Sequence, residues 1–354
     1  MRGKTETMVP NAARVIGGIS LIASSLAYLA FRNPRKTGGR SAYNLSNKIV
    51  VITGGSRGLG LALARQFISE GARVALLARD KETLQRAQES LTQDTSAHVI
   101  VVRCDLTDRK QVEAALQVVR LKLGPIDVLV NNAGLISVGP MDSMTLDDFR
   151  DSLNLHFWTP LYTTLSVLPE MRRRKQGRIV NISSIGGKIS VPHLLPYSVG
   201  KFALAGFSEG LRSEAAKDNV LVTSVYPGLM RTGSPRNASF KGKHRSEYAW
   251  FSISDSLPGI SVNADSAARQ IVNACKRGRS HLIVSLPAKV GIKLHQLFPR
   301  ASASALSKVN RLLPSIGANH TRSRKGKDSK SRLSPSWLTF LDELAAHRNN
   351  EVTV

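Results

Sequence analysis

Ile49-Val50-Val51-Ile52-Thr53-Gly54-Gly55-Ser56-Arg57-Gly58-Leu59-Gly60 is the stretch that decides the fold. Residues 49–53 read as a strand apolar on both faces, a glycine-rich turn follows at once, and residues 61–70 carry helical apolar spacing. Glycines let the backbone turn tightly and approach a pyrophosphate. The helix N-terminus offers that anion free N–H groups and the positive end of a dipole. The spacing of Gly54, Gly58 and Gly60 departs from the G-x-G-x-x-G fingerprint and alone could be a structural turn; its place between strand and helix carries the phosphate reading.

Working outward, further apolar runs at 73–78, 97–103, 128–131, 178–183, 221–226 and 281–285 alternate with helical patterns such as 81–91. Continuous Val/Ile/Leu runs separated by helices predict a Rossmann-like, doubly wound α/β domain with a parallel sheet, over residues 45–286. The second strand ends Leu77-Ala78-Arg79, where a carboxylate would hold the ribose 2′-hydroxyl of NAD(H). Arg79, with Arg57 in the loop, instead suits a 2′-phosphate and predicts NADP(H) over NAD(H). Asp80 is expected to point away.

The chain has 354 residues with 50 Lys plus Arg against 25 Asp plus Glu, a net charge of +25. That excess raises nucleic acid or an anionic membrane as partner. Residues 1–47 hold 7 basic and 1 acidic side chain, 48–270 hold 28 and 20, and 271–354 hold 15 and 4, so most of the excess lies outside the α/β domain. No nucleic-acid motif or basic-aromatic platform accompanies it, and no nucleic acid is expected. Cys104 and Cys275 cannot build a disulfide framework and give no sign of a metal site, so none is expected.

The flanks read as extensions of one catalytic domain. In residues 1–44, the uncharged run 15–31 is a membrane anchor, a cleaved signal or a packed helix; the basic residues after it favour a cytoplasmic catalytic domain. In 287–316, Val290, Leu294, Leu297 and Phe298, then Leu306, Val309, Leu312 and Leu313, make two amphipathic helices broken by Pro299, packed on the core or lying on a membrane. In 317–354, a basic block to residue 332 reads as a disordered linker attracted to anionic lipid. Ser334-Pro335 then caps a helix with Trp337, Leu338, Leu341 and Leu344 on one side.

The sequence resembles the short-chain dehydrogenase/reductase family over roughly residues 45–285. The motifs are TGGSRGLG at 53–60, CDLTD at 104–108, NNAG at 131–134, Asn154, NISS at 181–184, YSVGK at 197–201 and PGLMRT at 227–232, in family order. The resemblance implies a cofactor cleft formed by Gly54, Ser56, Arg57, Gly58, Leu59, Gly60, Arg79, Asp105, Leu106, Asn132, Ala133, Gly134, Tyr197, Lys201, Pro227, Gly228 and Thr232. Asp105 would meet the adenine edge and Thr232 the nicotinamide amide; Asn131 and Gly134 also serve the central strand. It further implies a homodimer through the helices around Asn154 and Tyr197.

Tyr197 and Lys201, four apart, share one helix face. The ammonium is expected to lower the phenol pKa and make it a proton donor or acceptor near neutrality. Ser184, favoured over Ser183 by its spacing to Tyr197, would bind the substrate oxygen, and by resemblance Asn154 holds a water extending the proton path from Lys201. His156 reads as packing, and His193 as part of the substrate mouth. The reaction implied is hydride transfer between nicotinamide and a carbonyl or alcohol carbon. Phe240, Tyr248, Trp250 and Phe251 in the long loop 233–260, with Val138, Met141, Met144, Val191, Leu194 and Leu195, predict a lipophilic substrate. The rival reading is a catalytically idle NADP-binding scaffold at a membrane; the filled Asn-Ser-Tyr-Lys set argues against it.

Overall fold

A computed structural model describes residues 42–352 except 94–96, 318–319, 332–333, 335 and 337–338. The run 15–31 lies outside the described residues, as do Trp337 and Leu338. Among the described residues, no helix is long and apolar enough to cross a membrane.

The main sheet contains β1 (Ile49–Thr53), β2 (Arg73–Ala78), β3 (Val99–Arg103), β4 (Val128–Asn131), β6 (Gly177–Ile182), β7 (Val220–Tyr226) and β11 (His281–Ile283). Their order is β11-β7-β6-β4-β1-β2-β3, and every neighbouring pair is parallel. Strand alternation sends Val50 and Ile52 into one apolar layer and Ile49 and Val51 into the other. The first layer is closed by α1 (Gly58–Ser69), α2 (Lys81–Thr92) and α8 (Ala264–Lys276), the second by α3 (Arg109–Leu123), α5 (Thr159–Arg173) and α6 (Leu195–Ala215). The direction of winding reverses between β1 and β4. That switch point opens a crevice at the strands' carboxyl ends, where ligands bind in such sheets.

Short-range chemistry fixes the helix starts around the crevice. Asp80 accepts from Thr83 N at 2.7 Å and so caps α2, Asp108 caps α3, and Thr145 with Asp148 forms a capping box on α4 (Leu146–Leu153). A π-turn, Asn154–Trp158, joins α4 to α5.

Two expectations for the C-terminal region are overturned. The basic block is no linker in its described part: β12 (Arg324–Lys325) pairs antiparallel with β9 (Ser239–Phe240), which also pairs with β5 (Ser137–Val138). The backbone of a free strand edge found partners there, so polar side chains were no obstacle to order. Ser329 is fully buried, donating to Lys325 O at 2.9 Å and sharing a hydrogen bond with His244 Nδ1 at 3.0 Å. The terminal helix α11 (Phe340–Arg348) begins after Thr339, not at Ser334, and is turned inside out. Leu341 and Leu344 are exposed, while Asp342 and Ala346 are buried. The cause is close approach: a Cβ on Gly233 would stand 2.3 Å from Ala346 Cα, and the Gly233 N–H donates to Asp342 at 2.9 Å, so this face admits only small or hydrogen-bonding residues.

The two amphipathic helices are present as α9 (Leu286–Leu297) and α10 (Pro299–Leu312), with Pro299 opening the second. Only Ala288 and Ile292 of α9 are buried, and no residue of α10. Val290, Leu294, Leu297, Phe298, Val309 and Leu312 face outward.

Candidate active site

The turn after β1 is shaped by contacts only glycine allows. Gly54 has φ +63°, and a Cβ there would fall 2.9 Å from Ala133 Cα; a Cβ on Gly60 would fall 2.1 Å from Gly54 O. Thr53 Oγ1 accepts the N–H groups of Asn132 and Ala133 at 2.9 and 3.1 Å, and the Asn132 amide donates to Thr53 O and Gly54 O. Turn and NNAG segment are thus one unit on either side of the switch point. Asn131 lies deeper, donating to Asn181 at 2.8 Å and accepting from Thr163 at 2.7 Å.

This unit borders a cleft of about 830 Å³. Gly54, Ser56, Arg57, Gly58, Leu59, Gly60, Arg79, Asp105, Leu106, Asn132, Ala133, Gly134, Ser184, Tyr197, Lys201, Pro227, Gly228 and Thr232 all line it. The cradle at Gly54 and Gly60, the N-terminus of α1 and the basic side chains Arg57 and Arg79 fit a dinucleotide phosphate group.

At the catalytic end, Tyr197 and Lys201 project from α6 one turn apart, Lys201 buried and Tyr197 half-buried. The Lys201 ammonium donates to Ile182 O at 2.8 Å and lies 5.6 Å from the Tyr197 ring centre. Burial pushes its pKa down to about 7. Burial also pushes the Tyr197 phenol up to about 12, against a smaller downward pull from Ser184. The expected lowering of the phenol pKa by Lys201 does not show: lost solvation pushes it the other way. Ser184 accepts from Gly186 N at 3.0 Å and faces the cleft, whereas Ser183 Oγ is spent donating to Lys201 O at 2.9 Å.

Asn154 is not brought to this group. It is exposed on the π-turn and does not line the cleft. His156 comes instead: it is buried, edge-on to Tyr197 with ring centres 5.2 Å apart, and its Nε2 accepts the Leu135 N–H at 3.2 Å. Ser152 Oγ donates to Pro196 O at 2.6 Å and so must accept from His156 Nδ1 at 3.1 Å. The proton thus sits on Nδ1, and the ring is neutral; burial and the Lys201 charge hold its pKa well below the usual value. Ser152 and His156, four apart, share the face toward α6, while a residue two positions along a helix points to the far side. That i, i+4 polar pair is the signal in the sequence that could have singled out His156.

The lipophilic wall is partly as expected. Val191, Leu194, Trp250 and Phe251 reach the cleft, the last two from α7 (His244–Ser256). Val138, Phe240 and Tyr248 instead pack beneath them in a buried cluster, and Met141 is exposed. His193 is off the cleft, buried, with Nδ1 2.8 Å from Glu247, whose other oxygen accepts the Trp250 indole N–H at 2.6 Å. Asp255, also on the cleft, has its carboxyl pushed well above the usual carboxylate range by burial and by the charge of Asp342.

Three cleft residues escaped the sequence reading because they come from the C-terminal region: Lys325, Asn350 and Glu351. The charges of Arg57 and Arg79 help to lower the Lys325 pKa, which places three cations together.

Residues 48–241 match the family model described as short chain dehydrogenase. The chain is a member of the short-chain dehydrogenase family. This short-chain dehydrogenase is 40% identical over 204 residues to a dehydrogenase/reductase SDR family protein 7-like of Anopheles gambiae, a match spanning 56% of the chain and 64% of that relative, under two thirds of its length. It is 32% identical over 279 residues to a fatty acyl-CoA reductase of Acinetobacter baylyi, covering 78% and 86% of the two chains. Among solved structures, L-sorbose reductase of Gluconobacter frateurii in complex with NADPH and L-sorbose superposes with a TM-score of 0.62 at 28% identity, over 69% of this chain and 97% of that one. This short-chain dehydrogenase has an α/β fold with a parallel seven-stranded sheet and a cleft at its switch point.

Proposed function

We propose that the chain is an NADP(H)-dependent reductase of a lipophilic carbonyl compound, working at an anionic membrane surface. The observation that carries this reading is the Tyr197 phenol beside Ser184 in a cleft that also holds basic side chains and an apolar wall. A phenol at the cleft beside Ser184 can give its proton to a developing alkoxide in the reductive direction. Ser184 positions the carbonyl oxygen by hydrogen bonding, Lys201 holds the helix register through Ile182 and returns a proton toward Tyr197, and His156 fixes the Tyr197 ring edge. A bound nicotinamide would supply the hydride.

Cofactor choice follows from charge. Arg57, Arg79 and Lys325 all line the cleft, and Asp80, which also borders it just past the β2 tip, spends one carboxylate oxygen on capping α2. NADPH in the related sorbose reductase is consistent with this choice. The apolar wall of Val191, Leu194, Trp250 and Phe251 suits a hydrocarbon chain or ring system, in keeping with the acyl-CoA reductase among the relatives.

Membrane contact is supported by α9 and α10, whose outward Val290, Leu294, Leu297 and Phe298 are interleaved with exposed Lys289, Lys293 and Arg300. Gly291 of α9 lies 3.9 Å, measured from its Cβ direction, from Ile189, close to Ile185 on the cleft, so this face adjoins the substrate mouth. Exposed Trp158, Leu165 and Phe202 on the π-turn, α5 and α6 support a homodimer through those elements. Screening lipophilic ketones and aldehydes for NADPH consumption, with Tyr197→Phe as the blank, tests the function. Turnover with NADPH and not with the blank is expected; NADPH binding without turnover of any carbonyl would overturn it.

A further inference from the structure

The C-terminal residues after α11 are stitched across the cofactor cleft. The Asn349 main-chain oxygen accepts the Gly58 N–H at 2.8 Å, at the first residue of α1. The Asn349 side chain accepts from Arg65 at 2.6 Å and donates to Thr232 O at 3.4 Å. Asn350, with φ +57°, a conformation asparagine tolerates better than most residues, donates to Ser56 O at 2.9 Å and Thr83 O at 3.0 Å and accepts from Arg86 at 3.1 Å. The tail therefore ties the glycine turn, the start of α2 and the Thr232 loop together, three elements that border the cleft, the last of them more than a hundred residues along the chain from the other two.

Glu351 closes the set. It is more than nine-tenths buried, its Oε2 accepts from Asn237 at 2.5 Å and lies 3.6 Å from Arg57 Nε, and its Oε1 stands 2.8 Å from where a Cβ on Gly58 would be. Among the described residues the hydrogen bonds to Glu351 come from Asn237, to its Oε2 and its main-chain oxygen, and the residue lines the cleft. A carboxylate in the wall of a dinucleotide crevice can accept a hydrogen bond from a hydroxyl.

We propose that Asn349, Asn350 and Glu351 are dinucleotide-binding residues, the tail holding the glycine turn in its binding shape and Glu351 accepting a hydrogen bond from a ribose hydroxyl of the cofactor. This places a carboxylate on the cofactor from the far end of the chain, in addition to Asp80 near the β2 tip, which caps α2. The inference rests on the cleft being the dinucleotide site and is indifferent to whether NADPH or NADH fills it. A tail seated as a wall differs from a tail seated as a plug: the first gains order from the cofactor and the second is expelled by it.

The experiment compares the full chain with Asn350→Ala and Glu351→Ala. Dissociation constants for NADPH and NADH are measured by titration, apo melting temperatures are recorded, and amide hydrogen exchange over 345–352 is followed with and without NADPH. Both variants are expected to fold and to bind both dinucleotides about tenfold more weakly, and NADPH is expected to slow exchange in the wild-type tail. Unchanged or tighter binding in the variants, or faster tail exchange with NADPH, overturns the inference. Should a variant fail to fold, the exchange measurement on the wild-type chain decides alone. A wild-type chain that binds neither dinucleotide overturns the reading of the cleft together with the inference, whereas intact wild-type binding with indifferent variants overturns the inference only.

Discussion

The Lys201 ammonium donates to the Ile182 carbonyl oxygen at 2.8 Å, at the end of the central strand β6 and one helical turn from Tyr197. Burial lowers its pKa to about 7, below the value of about 10.4 for an unfolded chain. Between those values the unfolded state binds more protons, so stability rises with pH across the window, and below it the full cost of a buried charge is felt. Wild type should therefore gain melting temperature from pH 7 to pH 10 relative to Lys201→Met, while the variant loses turnover at every pH. Parallel melting curves against pH for the two proteins would refute this.

Tyr197→Phe removes the proton donor but little volume. Turnover should fall by about 10²–10⁴, the usual share of a positioned acid, with the dinucleotide dissociation constant changed by less than about twofold. Because the phenol is pushed up to about 12, wild-type reduction should show no loss from tyrosine ionisation between pH 6 and pH 9. Initial rates over that range check both statements.

His156 and Asn154 separate cleanly. His156→Ala leaves the buried Leu135 N–H without its acceptor, at a cost of about 1–3 kcal/mol, and frees the Tyr197 ring edge. Turnover and melting temperature should both drop, and His156→Gln, which can restore an acceptor, should recover part of the turnover. Asn154→Ala, at an exposed site, should stay within about 0.5 kcal/mol of wild type with unchanged kcat. A loss of turnover in Asn154→Ala comparable to that in His156→Ala would restore the family's assignment.

These two residues also mark the limit of what is legible in a sequence. The parallel sheet was readable because strands buried on both faces, such as 49–53, have no alternation to confuse, and the glycine turn because sterics at Gly54 and Gly60 admit nothing else. Tyr197 and Lys201 were readable because helix geometry alone puts i and i+4 together. Asn154 misled because a motif carries residue types and not helix phase, and a phase is set by what packs against it, here Pro196 and Leu135 on Ser152 and His156. Lys325, Asn350 and Glu351 were invisible for a different reason: their meaning depends on long-range docking of a polar segment, and polar segments look alike whether docked or free.

Lys325 and Arg79 should set cofactor choice. A charge-assisted hydrogen bond to phosphate contributes about 1.5–3 kcal/mol, so Arg79→Ala should weaken NADPH by roughly 10–100-fold and leave NADH nearly unchanged, with Lys325→Gln acting in the same direction and less. Titration of each variant with both dinucleotides measures it. Equal weakening of NADPH and NADH would mean that these cations shape the cleft and do not read the 2′-phosphate.

The exposed face of α9 offers a test that is independent of the cleft. Val290, Leu294, Leu297 and Phe298 are about half or more exposed, and Lys289, Lys293 and Arg300 stand beside them. A surface of this kind binds lipid through apolar burial and charge together, so vesicles containing phosphatidylserine should retain the protein better than neutral ones, and salt should weaken the difference. Leu294→Asp with Phe298→Asp should abolish retention of a chain beginning at residue 42 while leaving its melting temperature and its turnover of a water-soluble ketone within about twofold, since neither side chain is buried. Turnover of a ketone embedded in the vesicle should fall in step with retention, because α9 adjoins Ile185 and Ile189 at the mouth of the cleft. Retention that survives the double substitution would show that this face does not meet the membrane.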